Sequence, residues 1–233
     1  MQKINIGGIE RFSLVDYPGQ VAAVIFLQGC PWRCPFCYNT ELQKIGQNGN
    51  HDWNVIFEFL QKRTKALDAV VFSGGEPLVQ DSLEEKIKEV KALGYKIGLH
   101  TGGYRPEHLK KILPLLDWVG FDIKAPFVEE NYQKAVGGAN HLNKAQESLQ
   151  LLLESGINFE CRTTCDPRIL SVEDIYAIAG ELKKRGVKSY HLQKYRPVPS
   201  DPLTQDWQCE QFFNNPELTA YLQQSFEDFD LRK

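Results

Sequence analysis

Apolar and polar positions alternate along the chain in blocks that predict strands followed by helices. Residues 21–27 and 68–72 are rich in apolar side chains, which is typical of parallel strands covered on both faces. Between them, residues 52–65 carry apolar side chains at helical spacing. The first blocks therefore predict a strand, a helix and a second strand in the order of a parallel βαβ unit.

The same alternation continues almost to the end of the chain. Further strands are predicted at residues 95–100, 117–123, 157–163 and 187–195, and further helices at 81–93, 106–113, 142–154 and 171–186. Residues 4–14 predict two short β pieces around Gly7-Gly8, arranged as a hairpin. Residues 124–139 form a long connection with Pro126 and a glycine pair, a length that is usually functional or mobile.

Six strand–helix repeats predict a parallel sheet with its helices outside and right-handed crossovers. A complete eight-unit barrel typically takes about 250 residues, so this chain is short for one. We therefore expect the α/β class and a partial (β/α)6 TIM-like barrel that is open on one side. The single domain would span residues 1–233, with a core at about 20–196 and an irregular or helical C-terminal tail at about 197–233, including a helix from Pro216.

Composition narrows the class of protein. The chain has 233 residues, is 42% hydrophobic and carries a formal charge of −3, which suits one large domain. The small net charge gives no general attraction to nucleic acid, no apolar run is long enough to span a bilayer, and the N-terminal residues lack a secretory pattern. We expect a cytoplasmic protein whose six cysteines are reduced or bind metal.

Three of those cysteines, Cys30, Cys34 and Cys37, lie directly after the first buried strand. Thiolates are soft ligands that suit zinc, copper(I) and iron–sulfur clusters. Three ligands leave one coordination position that this loop does not fill. One alternative is a zinc knuckle whose fourth ligand is His51 or Cys165; a disulfide fits less well with such short spacings in an intracellular chain.

Other chemically capable residues also follow strands, and in such folds the chemistry lies at the carboxyl ends of the strands. These are Gly74-Gly75-Glu76, His100-Thr101, Asp122, Lys124 and Cys165, which should converge with the cysteine loop on one mouth. The two glycines would let the backbone approach a ligand closely, and Glu76 could accept a hydrogen bond from an ammonium group. Alone, this stretch fits an ordinary strand-to-helix turn better than a ligand site.

Together, the C-x3-C-x2-C spacing and the Gly-Gly-Glu turn resemble the radical S-adenosylmethionine (SAM) enzymes. The resemblance implies a [4Fe–4S] cluster on Cys30, Cys34 and Cys37, with the fourth iron chelated by the amino and carboxylate groups of SAM. It also implies reductive cleavage of SAM to a 5′-deoxyadenosyl radical. Phe36 matches the family position near the adenine, although it could also simply cover the cluster from water.

Residues 13–19, residues 26–30 and the Asp122-Ile123-Lys124 motif resemble a narrower group, the glycyl-radical enzyme activases. Residues 99–103, 117–126 and 192–197 are similar to one branch of that group, the activating proteins of anaerobic ribonucleoside-triphosphate reductase. The likeness covers nearly the whole chain, to about Pro202.

The resemblance implies roles for single residues. Lys124 would place its ammonium beside the SAM carboxylate. Asp122 would bond SAM or hold a monovalent cation near that carboxylate. The chain departs from part of the group here, because His100-Thr101-Gly102-Gly103 stands where some activases carry Asp-Thr-Asn-Gly. One carboxylate is therefore missing from the cation site, and His100 could instead be a neutral hydrogen-bonding residue.

Three further residues complete the candidate site. Asp16 could position the target glycine loop or equally cap a turn, and Gln193 and Arg196 are placed near the adenosine. The remaining cysteines are expected to be reduced, mostly buried thiols: Cys161, Cys165 and Cys209.

The functional expectation is a radical SAM oxidoreductase that abstracts hydrogen from a glycine of a partner enzyme, most simply an anaerobic ribonucleotide reductase. A flavodoxin or ferredoxin would supply the electron. One alternative is a radical enzyme acting on a small molecule, such as a 7-carboxy-7-deazaguanine synthase, against which stand the Asp-Ile-Lys and Val-Asp-Tyr-Pro-Gly stretches. A zinc-binding structural or adaptor protein is a rival of another class; it would be colourless, whereas an iron–sulfur protein is brown.

Overall fold

A computed structural model describes residues 3–138, 141–196 and 206–232. These residues build one eight-stranded sheet in which the strands lie in sequence order, β1 to β8. The strands are β1 Ile6–Ser13, β2 Ala22–Leu27, β3 Ala69–Gly74, β4 Lys96–Thr101, β5 Trp118–Asp122, β6 Asn158–Cys165, β7 Ser189–Lys194 and β8 Asp228–Arg232. The partial, open barrel expected from the alternating pattern is confirmed, with β1 at one edge and β8 at the other.

The six predicted parallel strands correspond to β2–β7, each paired in parallel with the next. The prediction of an irregular or helical C-terminal tail is wrong for its last residues. After a helix that begins at Pro216 as predicted, the chain forms β8, which pairs in parallel with β7. Phe229 and Leu231 alternate with charged residues there, and both pack against the core. Residues 197–205, with the predicted end of the family likeness at Pro202, lie outside the described residues.

Eight helices connect or cover the described strands: α1 Trp53–Gln61, α2 Leu83–Ala92, α3 Pro106–Ile112, α4 Glu129–Val136, α5 Leu142–Ser155, α6 Val172–Lys184, α7 Asp206–Phe213 and α8 Pro216–Ser225. The long connection after β5 is not merely a loop, because it contains α4. Tyr132, Ala135 and Val136 bury one face of that helix, and Gly137 ends it in the left-handed conformation. None of the helices in the described ranges is both long and apolar enough to cross a membrane.

The N-terminal residues differ from the predicted hairpin. Gly7 and Gly8 do not form a turn; they lie within the single strand β1, which pairs antiparallel with β2. A side chain at Gly7 would lie 2.1 Å from Leu42, so this glycine permits close packing, not a reversal of the chain. The actual reversal uses residues 14–19, where Gly19 has a positive φ of 70°.

The two faces of the sheet have different chemistry. The outer face packs against the helices through alternate strand residues such as Ile25, Phe72 and Phe121, all fully buried. On the inner face, Tyr17 of the 14–19 turn packs on Trp118 at 5.1 Å between ring centroids. This aromatic pair fills the inner face near the amino ends of the strands, so the polar residues of this face that could take part in chemistry lie towards the carboxyl ends.

Candidate functional site

The loop of Cys30, Cys34 and Cys37 begins where β2 ends and crosses the mouth of the open barrel. Its entry is fixed to the segment after it, because Gly29 and Cys30 donate to the carbonyls of Leu42 and Gln43 at 2.7 and 3.1 Å. Cys30 and Cys34 are buried, Cys37 is partly exposed, and all three thiols are free. Three unpaired thiols therefore lie on one ordered loop.

The far end of the cysteine loop reaches the last strands. The Tyr38 hydroxyl donates to the carbonyl of Lys194 at 3.3 Å and accepts from the N–H of Arg196 at 2.7 Å. Arg168, which follows β6, donates to the carbonyl of Pro35 at 3.3 Å. The strand ends therefore meet at one mouth, and the cysteine loop connects its two sides. The prediction is wrong for Cys165, which is fully buried in the core on the outer face of β6 with Cys161.

The state of the thiols follows from their surroundings. Burial raises the pKa of Cys30 to about 12, against a smaller opposing effect from the N–H of Trp32. Burial also raises the pKa of Cys34, and the nearby Lys124 ammonium lowers it in part. Free of metal, both are protonated at neutral pH. Metal or cluster binding must therefore release protons, and Lys124 stabilises the resulting thiolates.

Two buried polar atoms beside this loop have no hydrogen-bond partner within the described residues: Trp32 Nε1 and the Tyr132 hydroxyl. Tyr132 lies in α4, whose Val136 carbonyl accepts from the N–H of Arg33 in the loop at 2.8 Å. Buried donors are rarely left unpaired, so both are available to a bound group. Donors of this kind bond the sulfurs of a cluster and influence its potential. The loop and its surroundings therefore fit an iron–sulfur cluster held by Cys30, Cys34 and Cys37.

The zinc alternatives place the fourth ligand elsewhere. Cys165 is fully buried and lies near Cys209, while His51 is exposed and forms an isolated bridge with Ile6. Across residues 3–138, 141–196 and 206–232, no three Cys, His, Asp or Glu side chains converge tightly enough for a single metal ion. A four-iron cluster binds each thiolate to a different iron and does not need such convergence. Cys161, Cys165 and Cys209 are reduced and buried, as predicted.

The glycines of the Gly74-Gly75-Glu76 turn make a close approach to the protein's own backbone. Gly74 has a φ of 116°, and a Cβ there would lie 2.2 Å from the nitrogen of Leu27. A Cβ at Gly75 would lie 2.3 Å from the carbonyl oxygen of Gly29. The two glycines, expected to let the backbone approach a ligand, let the end of β3 pack directly against the start of the cysteine loop.

Glu76 connects the ends of β3 and β4. It is only 1% exposed, and Thr101 Oγ1 donates to its Oε1 at 2.5 Å while the N–H of Gly102 donates to Oε2 at 2.9 Å. Burial raises the pKa of Glu76 to about 7, against the lowering effect of these donors. Glu76 and Thr101 therefore form one buried unit next to Cys30, and the Glu76 carboxylate adds to the rise that burial causes in the pKa of Cys30.

Lys124 lies two residues after the end of β5, and its side chain extends to the cysteine loop. Its ammonium lies 5.3 Å from the ring centre of Trp32 and 5.8 Å from that of Phe36, and 3.4 Å from Asp122 Oδ2. Burial alone would lower the pKa of Lys124, but the charge of the Asp122 carboxylate raises it overall. A buried, permanently charged lysine over two rings of the cysteine loop is suited to meeting a carboxylate brought into that space.

His100 and Asp16 meet on the inner face of the sheet. The carbonyl of Asp16 can only accept, so His100 carries its proton on Nε2, which donates at 2.9 Å. Burial and Arg162 lower the pKa of His100 to about 3, so the residue is a neutral hydrogen-bonding group. The Asp16 carboxylate accepts from Ser13 Oγ at 2.5 Å, which stabilises the turn. Any role of Asp16 toward a target glycine loop stays a prediction.

Replacing His100 by glutamine should change how stability depends on pH. Because the folded-state pKa is lowered, unfolding takes up a proton between pH 6.5 and 3, so the native His100 contributes stability above pH 6.5 that is lost as pH falls. One proton limits this slope to about 1.4 kcal/mol per pH unit. We expect urea unfolding between pH 7 and 5 to show a shallower loss for His100→Gln. A His51→Gln variant, altered at an exposed site, should keep the wild-type slope; an unchanged slope for His100→Gln would contradict the assignment.

Three site residues were missed by the sequence reasoning: Arg162, Glu160 and Trp32. Arg162 pairs with Asp122, and Glu160 pairs with Arg232 across β7. A signal was available, since Glu160 and Arg162 are two apart in a predicted buried strand and so share one face. Two charges on the same face of a core strand indicate a polar interior.

Gln193, predicted to lie near the adenosine, is on the same inner face of the sheet. It lies in register with Arg232, so it is close to the mouth.

Comparison with known proteins agrees with this geometry. The radical SAM superfamily matches residues 24–165. A Methanocaldococcus jannaschii protein named as a glycyl-radical enzyme activating enzyme is 33% identical over 84% of this chain and 81% of its own length. The pyruvate formate-lyase-activating enzyme of Clostridium pasteurianum is 27% identical over 96% of this chain and 98% of its own length.

Solved structures show the same fold. Streptococcus suis SuiB bound to S-adenosylmethionine superposes with a TM-score of 0.66 and 13% identity, covering 88% of this chain and 48% of SuiB. The structure of anSMEcpe with bound AdoMet gives a TM-score of 0.63 at 15% identity, covering 87% of this chain and 61% of anSMEcpe. The chain therefore spans about half to three fifths of these two structures.

Proposed function

The chain belongs to the radical SAM superfamily, as its match over residues 24–165 shows, and from this premise we propose that it generates a glycyl radical in an anaerobic ribonucleotide reductase. The broader assignment is a radical SAM activase of glycyl-radical enzymes. It is supported by the glycyl-radical enzyme activating enzyme and the pyruvate formate-lyase-activating enzyme that match most of the chain. The narrower assignment, a ribonucleotide reductase as the partner, is based on the likeness of three stretches to the activating proteins of anaerobic ribonucleoside-triphosphate reductase. These are residues 99–103, 117–126 and 192–197.

The observation that carries the proposal is the convergence of the cysteine loop, the Glu76–Thr101 pair and the Asp122–Lys124 pair at the mouth of an open sheet. When bound, the [4Fe–4S] cluster supplies the electron that cleaves SAM and so provides the radical that removes hydrogen from a glycine. Cys30, Cys34 and Cys37 would hold the cluster. Lys124 would hold the SAM carboxylate, and Phe36, buried under the same ammonium, would cover the adenine side.

A protein substrate suits the unclosed barrel. The described sheet has β1 at one edge and β8 at the other, and neither pairs with the other to close the circle. The turn after β1 exposes Leu14 by 63% and Val15 by 83%, while its Asp16 carbonyl is fixed to His100 on the inner face. Exposed apolar side chains directly after the edge strand β1 favour contact with a polypeptide over an enclosed small-molecule pocket. This is support for the activase over the deazapurine synthase.

The test uses the full-length protein without oxygen. The chain is reconstituted with iron and sulfide, reduced with flavodoxin or with dithionite, and mixed with SAM and the candidate reductase. We expect 5′-deoxyadenosine and a doublet in the electron paramagnetic resonance spectrum that appears only with the reductase. A reductase whose target glycine is replaced by alanine is the control and should give no doublet.

Each other outcome is informative. Deoxyadenosine with a doublet only on another glycyl-radical enzyme, such as a pyruvate formate-lyase, would refute the choice of reductase. Deoxyadenosine without a doublet on any such enzyme would refute the protein substrate and favour a small molecule. No iron uptake and no cleavage would refute the radical chemistry.

A further inference from the structure

We propose that Arg162 takes the place of a monovalent cation at Asp122, so that this chain binds SAM without an alkali ion. The proposal rests on the SAM binding that the proposed function includes. It adds a positioning residue that no sequence motif marked and removes the need for a cation beside the SAM carboxylate.

The contacts of Asp122 already supply the positive charge that a metal ion would provide. Arg162 donates to Asp122 Oδ1 from both Nε, at 3.1 Å, and Nη2, at 2.9 Å, while Lys124 lies 3.4 Å from Oδ2. Both carboxylate oxygens therefore face a fixed positive charge. These charges lower the pKa of Asp122 although burial opposes them, so the carboxylate stays ionised.

The guanidinium also bonds the type of oxygen that a hard cation would use. Its Nη2 donates to the backbone carbonyl of Gly120 at 3.3 Å, two residues before Asp122 on the same strand. A carboxylate oxygen and a backbone carbonyl are typical ligands of hard cations. Arginine stays protonated at any working pH, so it supplies the same charge permanently.

The surroundings are shaped around this guanidinium. A Cβ at Gly120 would lie 2.7 Å from Arg162 Cζ, so only glycine leaves room for the side chain. Arg162 is 8% exposed, which limits its freedom to swing away. On the neighbouring strand His100 is neutral and offers no second carboxylate to balance an added ion. A metal cation would be a third positive charge beside Arg162 and Lys124.

The test measures SAM binding to the reconstituted protein by equilibrium dialysis. Potassium, sodium and tetramethylammonium chlorides are compared at equal ionic strength, so that screening is constant. For the wild-type protein we expect dissociation constants that agree within about twofold in all three salts, a difference of only a few tenths of a kcal/mol. For Arg162→Met we expect binding about tenfold weaker in tetramethylammonium and largely restored by potassium.

Two variants separate this role from ordinary structural support. Arg232→Met removes an inner-face arginine from a different buried carboxylate, Glu160, and should lower stability without making SAM binding depend on the salt. Arg162→Lys keeps one charge and should stay independent of the salt. If Arg162→Met fails to fold, Arg162→Gln, which also removes the charge, replaces it in the comparison.

Three results would overturn the proposal. The first is wild-type SAM binding that saturates with potassium or sodium. The second is an Arg162→Met defect that no alkali ion relieves, since Arg162 would then only brace the strand. The third is SAM binding by Arg162→Lys that depends on the alkali ion, since the retained charge would then not be what replaces the cation. Absence of SAM binding in every salt would refute the proposed function as well, whereas a missing glycyl doublet with salt-independent binding would refute only the choice of partner.

Discussion

The Cys34→Ser variant is expected to lose its iron–sulfur cluster and, with it, all SAM cleavage. Cys34 is the central of the three loop thiols, it is buried, and Lys124 stabilises its thiolate. A serine hydroxyl is a hard donor that stays protonated in such a site, so it cannot replace the soft thiolate. The loss should exceed the roughly 10–100-fold that removal of an outer-shell partner costs.

The measurement is iron and sulfide per chain after anaerobic reconstitution, together with the 5′-deoxyadenosine formed. Cys161→Ala is the matched control: Cys161 is fully buried but packs on the outer face among the core residues. It should keep its iron content while losing some stability, about 1 kcal/mol or more. Equal iron in Cys34→Ser and wild type would show that the loop does not hold the cluster.

The second large effect is expected for Gly74→Ala, which should destabilise the folded protein strongly. Gly74 has a φ of 116°, where side chains are strained, and its Cβ would lie 2.2 Å from a backbone nitrogen of Leu27 that cannot move aside easily. The two problems add, and we expect the free energy of unfolding to fall by more than about 3 kcal/mol.

Gly19→Ala provides the matched comparison for Gly74. Gly19 also has a positive φ, 70°, but a Cβ at that position would have no other atom within 4 Å. It should therefore show the conformational cost alone, about 1 kcal/mol. Urea denaturation of both cluster-free variants measures the difference. Similar losses at the two positions would mean that the contact between the end of β3 and the cysteine loop contributes little.

The sequence allowed the parallel strands to be predicted because each is an apolar run that ends in a turn or in chemically capable residues. β8 could not be predicted in this way, since Asp228, Asp230 and Arg232 interrupt its apolar residues. Its charges are accommodated because they face a polar interior, where Arg232 pairs with Glu160. A short strand whose charges are satisfied only by a distant partner carries no local signal.

The candidate site shows a similar division. Cys30, Glu76 and Lys124 belong to short motifs, so their convergence followed from the rule that strand ends meet at one mouth. The Arg162–Asp122 pair joins residues 40 positions apart, and its geometry depends on the register of β5 with β6. The same limit applies to the glycines of the Gly-Gly-Glu turn, whose neighbour is the backbone near Leu27, in a strand much earlier in the chain.

The bonds from Tyr38 to Lys194 and Arg196 have a consequence for how the protein fails. They make the cysteine loop a clasp between the ends of β2 and β7, joining residues 156 and 158 positions apart. Oxygen attack on the loop thiolates would release that clasp, and the mouth would open locally before the core unfolds. Amide hydrogen exchange would then rise first at the end of β7, far along the chain from the damaged cysteines. Inactivation by air would begin as a loss of local order and not as global denaturation.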